Sequence, residues 1–161
     1  MPVFPGASQI GLISDTHGLL RPEALDALRG SQLILHAGDV GDPAILTTLR
    51  SIAPVVAIRG NVDTEPWTAV LPATELVTAA GVSIYMLHNR ESLDLVPEAA
   101  GFNIILSGHS HQPAQEWRRE VLYINPGSAG PRRFNLPITV ARLDLTRKPL
   151  RAEIVTLTPK T

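Results

Sequence analysis

The sequence predicts an α/β domain in which two β-sheets pack against each other. The first third alternates strand-length apolar runs with helix patterns, which is typical of a parallel sheet with crossover helices. The remainder contains apolar runs that pair around short turns, which is typical of β-hairpins. The chain has 161 residues and no linker, repeat or low-complexity tract, so we expect a single domain over residues 1–161.

The first third is expected to fold in the order β-α-β-α-β. Buried parallel strands read as short apolar runs, and here each run ends at a polar motif. The predicted strands are 9–14, 32–37 and 55–59. A helix over 21–29 is indicated by Pro22 in its first turn and by Gly30 after its end. A second helix, 43–52, should begin after Asp42, whose side chain can cap it.

The rest of the chain is expected to be rich in β-hairpins. The predicted hairpins pair 73–79 with 82–87, 114–118 with 121–124, and 138–145 with 150–157. A short helix near 96–100 should lead into one further strand at 103–107. The predicted second sheet is therefore assembled mainly from hairpins.

Composition excludes several classes of function. Hydrophobic residues make up 44% of the chain, and the formal net charge of −1 predicts no bulk binding to nucleic acid or to an anionic membrane. The chain has no cysteine, which excludes disulfides and thiolate metal sites. Residues 1–9 do not resemble a signal peptide, and the apolar stretch 76–87 is too short to span a bilayer. We therefore expect a cytoplasmic protein that does not enter the membrane.

Seven nitrogen or oxygen donors lie at or just after the ends of predicted strands. They are Asp15, His17, Asp39, Asn61, His88, His109 and His111. Ligands of parallel sheets bind beyond the carboxyl ends of the strands, so we expect these donors to converge. Such a set without cysteine is typical of a two-metal site rather than of a structural zinc site. Imidazole ligands favour Mn, Fe, Ni, Co or Zn, whereas an all-oxygen site would favour Mg or Ca.

Residue chemistry suggests how the donors are used. Asp39 is our candidate for a carboxylate that bridges two metals by giving one oxygen to each. Asp15 and His17 are two residues apart, so in an extended segment their side chains would share a side. The same spacing relates His109 and His111, although two imidazoles so close need not bind the same ion.

Other interpretations of these residues stay open. Taken alone, a residue such as Asp15, Asn61 or His88 is more often a turn residue, a helix cap or a surface group, and it is the joint pattern that favours ligands. His36 lies in an apolar run and is interpreted as a core histidine or as a hydrogen-bonding neighbour of the site. Asp63 would either orient a ligand or form a local turn.

The charge of such a site favours a phosphodiester. Two divalent ions carry four positive charges, and Asp15, Asp39 and a bridging hydroxide would remove three of them. The remaining charge matches a phosphodiester monoanion better than a dianionic monoester. A water bridging both metals would be acidified and would attack phosphorus in line.

Six short segments follow one another along the chain, and five of them contain these donors. They are 11–18 (GLISDTHG), 36–39 (HAGD), 59–63 (RGNVD), His88, 108–111 (GHSH) and 125–128 (NPGS). Together they resemble the calcineurin-like metallophosphoesterase superfamily, and within it the small single-domain bacterial and archaeal phosphodiesterase branch. The resemblance runs from about residue 10 to residue 145. It implies a four-layer αββα sandwich of two mixed β-sheets flanked by helices, with a dinuclear metal centre on one edge.

The resemblance also implies how the ligands divide between two metals. One metal would take Asp15, His17, Asp39 and His111, and the other would take Asp39, Asn61, His88 and His109. Among these, Asp39, Asn61 and His88 are the candidate catalytic residues. Members of the family work with Mn²⁺, and often with Ni²⁺, Co²⁺, Fe²⁺, Zn²⁺ or Mg²⁺, so we expect two divalent ions with Mn²⁺ as first choice. Residues 125–128 would either shape the site with backbone groups or form a plain Pro-Gly turn.

The chain departs from the superfamily pattern at two places. Val62 stands where many members have a histidine that is proposed to protonate the leaving group. Its absence is shared by the small branch and favours good leaving groups or protonation through water. Asn89 and Arg90 follow His88 where glycine is common, which changes this loop and would bring a cation toward the substrate. Two further cations, with either a phosphate-binding or a solvated role, are Arg132 and Arg133.

The leading hypothesis is a metal-dependent phosphodiesterase that acts on a small phosphodiester. The alternatives are a non-catalytic scaffold or binding protein of the same fold, as in the eukaryotic retromer complex, and a phosphomonoesterase. Trp67 follows the Asn61 motif, and a core or interface role is favoured over stacking on a base. Cyclic nucleotides, other nucleotide diesters and glycerophosphodiesters all stay open as substrates. The exposed hairpins could also pair in a homodimer, as in other members of the small branch.

Overall fold

Residues 2–159 are described by a computed structural model and form eleven β-strands and three short α-helices. Met1, Lys160 and Thr161, which the predicted domain 1–161 includes, lie outside the described residues. The strands are β1 (Val3–Phe4), β2 (Gln9–Ile13), β3 (Leu33–His36), β4 (Val55–Ala57), β5 (Thr74–Ala79), β6 (Val82–Leu87), β7 (Ile104–Leu106), β8 (Ala114–Arg118), β9 (Val121–Asn125), β10 (Thr139–Asp144) and β11 (Ala152–Thr156). The helices are α1 (Pro22–Leu28), α2 (Pro43–Arg50) and α3 (Pro97–Ala100).

A five-stranded mixed sheet contains the predicted parallel strands. Its strand order is β11-β10-β2-β3-β4, with β2, β3 and β4 parallel. The C-terminal hairpin completes this sheet, because β10 runs antiparallel to β2 with Ala141 opposite Leu12. The C-terminal hairpin and the early strand β2 therefore share one sheet.

The second sheet has six strands and is also mixed. Its strand order is β1-β5-β6-β7-β9-β8. Strands β6, β7 and β9 are parallel, while the hairpin partners β5 and β8 run antiparallel to them. Because both sheets contain parallel strands, loops from both can meet at one edge of the molecule.

Packing of the two sheets and of α1 and α2 produces the main layers. Side chains such as Leu35 and Ile104 fill the core between the sheets. On the other face of the five-stranded sheet, Leu28 of α1 and Leu49 of α2 pack over Ile34. Each such fully buried side chain contributes about 1.5–3 kcal/mol through removal from water. The fourth layer is thin, since α3 and a 3₁₀ turn at Arg90–Ser92 cover only part of the six-stranded sheet.

The three helices begin within one residue of the predicted positions, and α1 and α2 end slightly earlier than predicted. Asp42 caps α2 by accepting a hydrogen bond from the Ala44 N–H at 2.9 Å, as expected. This helix ends at Arg50 instead of at residue 52, and α1 spans only Pro22–Leu28. No helix among residues 2–159 is long and apolar enough to cross a bilayer.

Several strands differ from the prediction in length. Strand β4 stops at Ala57 instead of at residue 59, and β11 begins at Ala152 instead of at residue 150. The short strand β1 and the 3₁₀ turn at Pro66–Val70 were not predicted, because two and five residues carry too little periodicity. Trp67 of that turn is partly buried against the core under α1 and α2, in line with the favoured core role.

Candidate metal centre

The seven predicted donors come from five loops that directly follow strands. Asp15 and His17 follow β2, Asp39 follows β3, and Asn61 lies beyond β4. His88 comes directly after β6, and the pair of histidines at 109 and 111 lies beyond β7. The structure brings these loops together at one edge of the two sheets. The floor of the resulting site is buried and consists of Asp15, Asp39, His88 and His111. Asn61 and His109 are exposed at its rim.

One group of donors surrounds the Asp15 carboxylate. Its Oδ1 lies 3.6 Å from Nε2 of His17 and 3.4 Å from Nε2 of His111. The two imidazole Nε2 atoms are 3.3 Å apart. The Oδ2 atom of Asp39 completes the group at 3.6 Å from Nε2 of His17. These four atoms could hold one cation.

A second group shares Asp39 with the first. Its Oδ2 lies 3.1 Å from Nε2 of His88. Nδ1 of His109 lies 3.3 Å from Oδ1 of Asn61. The ring of His109 lies 5.3 Å from that of His88, whereas His111 contacts His17 and Asp15, although only Ser110 separates the two histidines. Nε2 of His88 also lies 3.7 Å from Oδ1 of Asp15, so the two groups are adjacent.

Each carboxylate directs one oxygen into the site and anchors the other. Oδ1 of Asp39 accepts the Val62 N–H at 2.9 Å, which leaves Oδ2 to face both groups. We expected one oxygen for each metal, but a bridge through Asp39 would use a single oxygen atom. Asp15 is arranged similarly, since its Oδ2 accepts bonds from the Ser14 hydroxyl at 2.6 Å and the His109 N–H at 3.0 Å.

Two buried atoms at the centre have no hydrogen-bond partner among the described residues. They are Oδ1 of Asp15 and Nε2 of His88. A buried polar atom without a partner costs about 1–3 kcal/mol, so such atoms at one point indicate a missing ligand. The Nδ1 atom of His88 bonds to the Ala37 carbonyl at 2.7 Å, which fixes Nδ1 as the donor and leaves the Nε2 lone pair free. Oxygen and imidazole donors in this arrangement fit divalent transition metals.

Five of the seven donors have left-handed backbone conformations. They are Asp15, His17, Asp39, His109 and His111, with φ between 46° and 71°. Such conformations cost about 1–3 kcal/mol each for residues other than glycine, and they persist where the surroundings impose them. The expectation of extended segments at Asp15–His17 and His109–His111 is therefore wrong, because tight left-handed turns aim these side chains at the site.

Electrostatic coupling keeps both carboxylates charged. Burial alone would raise the pKa of Asp15, but the nearby His17 imidazole, the hydrogen bond from Ser14 and further histidine charge hold it below its usual value. For Asp39, the effect of burial is likewise outweighed by the adjacent His88 imidazole and the hydrogen bond from the Val62 N–H, so its pKa is also lowered. Burial opposes protonation of His88, yet the adjacent carboxylates of Asp39 and Asp15 and the Ala37 carbonyl raise its pKa. In the protein without metal, a proton on His88 therefore competes for the position that a cation would take.

Glycines let the donor loops approach one another closely. A Cβ on Gly60 would lie 2.1 Å from Oδ1 of Asp39, and one on Gly108 would lie 2.5 Å from Oδ2 of Asp15. Both separations are far shorter than a van der Waals contact. Any side chain at these positions would push a carboxylate away from the site. This requirement explains the glycine that precedes Asn61 and the one that precedes His109 in the sequence motifs.

Asp63, which the sequence left open, ties two of the donor loops together. Its buried carboxylate accepts the N–H groups of Val40 and Gly41, each at 3.1 Å, and of Gly60 at 2.8 Å. It thus connects the loop that carries Asp39 to the loop that carries Asn61. It orients ligands and does not itself face the two groups.

His36 is a buried hydrogen-bonding neighbour of the site, as interpreted from the sequence. Its Nδ1 accepts the Gly38 N–H at 3.1 Å, so its Nε2 donates to Thr16 Oγ1 at 3.0 Å. Burial lowers its pKa to about 4, which keeps the ring neutral near pH 7. His36 therefore supports the loops next to Asp15 and Asp39 and adds no charge.

Residues 125–128 contribute side chains to the site's support, which the sequence did not predict. Asn125 donates from Nδ2 to the Gly108 carbonyl at 2.9 Å and to Ser110 Oγ at 3.1 Å. Ser128 donates its hydroxyl to the Asp15 carbonyl at 2.9 Å. These residues belong to the second half of the chain, and no local pattern reveals which loop they brace.

The residues with open roles have different surroundings. Val62 is 46% exposed and contributes its N–H, not a proton-bearing side chain. Arg90 forms an ion pair with Glu116. Arg132 donates to the Leu136 carbonyl at 3.4 Å. Arg133 is close enough for its charge to contribute, after burial, to the lowered pKa of His111.

Comparison with known proteins places the chain in a family. Residues 9–148 match the model of the calcineurin-like phosphoesterase superfamily domain. A probable metallophosphoesterase of Methanothermobacter thermautotrophicus is 35% identical over 91% of both chains. Phosphodiesterase YfcE of Escherichia coli is 27% identical over 81% of this chain and 84% of its own. The crystal structure of Vps29 from Chaetomium thermophilum has a TM-score of 0.72 at 22% identity, covering 94% of this chain and 97% of that one. The chain belongs to the calcineurin-like phosphoesterase superfamily.

Proposed function

We propose that the protein is a phosphodiesterase that holds two divalent cations, with Mn²⁺ as the first candidate. The observation that carries this proposal is the convergence of Oδ1 of Asp15, Oδ2 of Asp39 and three imidazole nitrogens at oxygen–nitrogen separations of 3.1–3.7 Å. Two relatives named as a metallophosphoesterase and a phosphodiesterase support the same reaction class. When bound, the cations would supply Lewis acidity toward the phosphoryl oxygens and an acidified bridging water as nucleophile.

The chain's own residues prepare the site for that chemistry. Asp15 and Asp39 stay ionised and would neutralise two of the four charges of the cation pair. Asn61 would add a ligand without adding charge, which leaves the site positive toward an anionic substrate. The Ala37 carbonyl fixes the tautomer of His88, so this ligand is ready without rearrangement.

The shape and charge of the site favour a diester over a monoester. Two clefts border His109: one of about 540 Å³ also contains Asn61 and His88, and one of about 390 Å³ contains Arg90 and Tyr123. A diester has two ester arms, and a cleft is present for each of them. A further cleft of about 740 Å³ around Arg147 lies elsewhere and contains none of the candidate ligands.

The site does not offer a dedicated general acid at the position of Val62. Its exposed isopropyl group carries no proton to donate. The histidines of the site are all candidate ligands, so protonation of the leaving group would come through water. We therefore propose that diesters with good leaving groups are turned over fastest.

The alternative of a non-catalytic scaffold predicts a different outcome. The likeness to Vps29 concerns the fold alone at 22% identity. All seven donor positions carry residues able to bind a metal, which favours an enzyme over a scaffold. A phosphomonoesterase would prefer a dianionic substrate, for which the proposed site has less positive charge.

Hydrolysis of bis(p-nitrophenyl) phosphate by metal-stripped protein tests the proposal, with Mn²⁺ or Mg²⁺ added back. We expect turnover that requires the metal, exceeds turnover of p-nitrophenyl phosphate, and is lost in Asp39→Ala. Asp26→Ala is a matched control because Asp26 is an exposed aspartate on α1 whose ion pair with Arg29 lies on the surface. Preference for the monoester would support the phosphomonoesterase. Folded protein without turnover under any of these conditions would support the scaffold.

A further inference from the structure

Strand β8 forms an open edge of the six-stranded sheet. It stands last in the strand order, beside β9, so within residues 2–159 no further strand pairs with its outer side. Four of its five residues are exposed, and they include Trp117, whose exposed fraction is 48%. An edge strand with free backbone groups is a template for pairing with another chain. Its backbone directions and side chains together indicate which chain fits it.

The hairpin geometry shows which backbone groups of β8 face outward. Arg119 and Glu120 form a two-residue turn with positive φ at both positions, so the residues that flank the turn are a hydrogen-bonded pair. The next pair, Trp117 and Leu122, is then not hydrogen-bonded to each other. In agreement, the Leu122 N–H donates away from β8, to the carbonyl that precedes β7. The N–H and C=O groups of Trp117 and Gln115 therefore point to the open side of β8.

The side chains of β8 complement a second copy of the same strand. In an antiparallel ladder, a two-fold axis at Trp117 would place Glu116 of each protomer opposite Arg118 of the other. An axis at Glu116 or at Arg118 would instead oppose two like charges, which is unfavourable. An axis nearer the start of the strand would oppose an outward-facing residue to Pro113, which has no N–H for the ladder. The charges and the proline therefore select the axis at Trp117.

The charged side chains of this strand are accessible to a partner. The side chains of Glu116 and Arg118 are 46% and 54% exposed, and they contact each other within one protomer at 3.0 Å. Residues 114–120 carry two acidic and two basic side chains, so the segment is neutral and two copies do not repel each other as a whole. Across the axis, each Glu116 would gain the partner's Arg118 as a further guanidinium.

An apolar cleft next to β8 adds contact area on the other face of the strand. Its volume is about 320 Å³, and Trp117, Leu122, Pro149 and Leu150 contribute to its lining. Trp117 lies opposite Leu122 of β9, whose side chain belongs to the main core, so the indole is on the face that borders the other sheet. Side chains directly opposite each other in a ladder share a face, so the two indoles would lie side by side between the two clefts.

We propose that two copies of this chain associate through β8, antiparallel and about a two-fold axis at Trp117. The two six-stranded sheets then form one continuous sheet. The Trp117 residues exchange two backbone hydrogen bonds at the axis, and an ion pair between Glu116 and Arg118 forms on either side of it. The sequence left a homodimer of exposed hairpins open, and this proposal names its hairpin and its axis.

The proposed interface is separate from the metal centre. Ala114, at the beginning of β8, pairs with Asn125 close to the donor loops, whereas Trp117 lies about 10 Å further along the strand. Pairing at Trp117 leaves the rim residues His109 and Asn61 accessible. The inference therefore does not depend on the proposed function.

Sedimentation velocity of the full chain over a range of concentrations tests the proposal, with and without Mn²⁺. We expect a reversible dimer of the wild-type protein under both conditions. Glu116→Arg and Arg118→Glu should each weaken the dimer at least about tenfold, because like charges replace opposite charges on both sides of the axis. Both side chains are about half exposed, so the two variants should fold, which circular dichroism checks.

Recombining the two variants tests the axis itself. In an equimolar mixture of Glu116→Arg and Arg118→Glu, one strand carries two positive charges and the other two negative charges, so a heterodimer should form with about the wild-type affinity. The double variant Glu116→Arg/Arg118→Glu should also regain the homodimer, because the exchanged charges again lie opposite each other. Asp26→Arg reverses an exposed charge on α1 and should leave the dimer unchanged.

Three results would overturn the inference. A wild-type protein that stays monomeric at all concentrations would show that β8 does not pair with a second copy. A dimer that both single variants leave unchanged would have to use another surface. Folded variants that do not associate when mixed would contradict the axis at Trp117. Loss of phosphodiester hydrolysis alone would count against the proposed function and would leave the dimer unaffected.

Discussion

Asp63 offers a quantitative test of how the donor loops are held together. Its side chain is 5% exposed and accepts three backbone N–H groups, from Val40, Gly41 and Gly60, at 2.8–3.1 Å. Replacement by alanine would leave these three donors without the acceptor. Asp63→Asn keeps the volume and one acceptor oxygen, but it brings an NH₂ group against the same donors.

The expected loss of stability follows from these bonds. A buried N–H left without a partner costs about 1–3 kcal/mol, and water that enters the space would recover part of this. We therefore expect Asp63→Ala to lower the free energy of unfolding by about 3–5 kcal/mol. For a domain of this size, the midpoint of thermal unfolding should fall by roughly 10 °C. Asp63→Asn should fall between alanine and wild type.

Urea and thermal unfolding with a chelator present measure these differences without a contribution from metal binding. Asp26→Ala is the matched control, because its carboxylate is 72% exposed and its pair with Arg29 is on the surface. This control should change stability by less than about 0.5 kcal/mol. A loss below about 1 kcal/mol in Asp63→Ala would refute the view that this carboxylate holds the loops.

Three further predictions concern the site. Gly60→Ala should keep the fold but weaken Mn²⁺ binding at least about tenfold in calorimetric titrations, because its Cβ would lie 2.1 Å from Oδ1 of Asp39. Gly6→Ala is the control, because a Cβ at Gly6 meets nothing within 4 Å. Unchanged affinity in Gly60→Ala would contradict the close approach of Gly60 to Asp39. His36 has its pKa lowered to about 4, so the unfolded chain binds more protons between about pH 6.5 and about pH 4, and stability should fall by up to about 3 kcal/mol as pH decreases through this window. Urea unfolding of wild type and His36→Asn checks this, and equal acid slopes would contradict it. Because the pKa of His88 is raised, a cation that binds there displaces a proton. The affinity for Mn²⁺ should therefore increase from about pH 6 to about pH 8, and calorimetry should detect net proton release. An affinity that does not depend on pH would contradict this prediction.

Much of the fold could be predicted because its first half is built from local patterns. Pro22, Gly30 and Asp42 mark the helix ends, and apolar runs mark β2, β3 and β4. The order of the strands depends on contacts between distant segments, which carry no local signal. Strand β10 pairs with β2, and β1 pairs with β5, over sequence separations of more than seventy residues. These pairings depend on how the two sheets pack, which no local pattern of apolar residues reveals.

The donors could be predicted by residue type and position, but not their conformations or supports. Histidine and aspartate after strands are visible in the sequence, whereas the left-handed backbone at Asp15 and His109 follows from loop packing. The same holds for Ser128, whose hydroxyl reaches the Asp15 carbonyl from the far end of the chain. Asp63 was ambiguous because its three partners lie on two loops that the sequence does not place together.

The ligand division between two groups is the central claim, and metal stoichiometry with electron paramagnetic resonance tests it most directly. The experiment uses the protein reconstituted with Mn²⁺ and its Asp39→Ala variant. We predict two Mn²⁺ ions per chain with a magnetically coupled spectrum, because Oδ2 of Asp39 faces both His17 and His88. In Asp39→Ala the coupling should be lost. A single ion per chain, or two ions whose spectrum shows no coupling in the wild-type protein, would contradict the account.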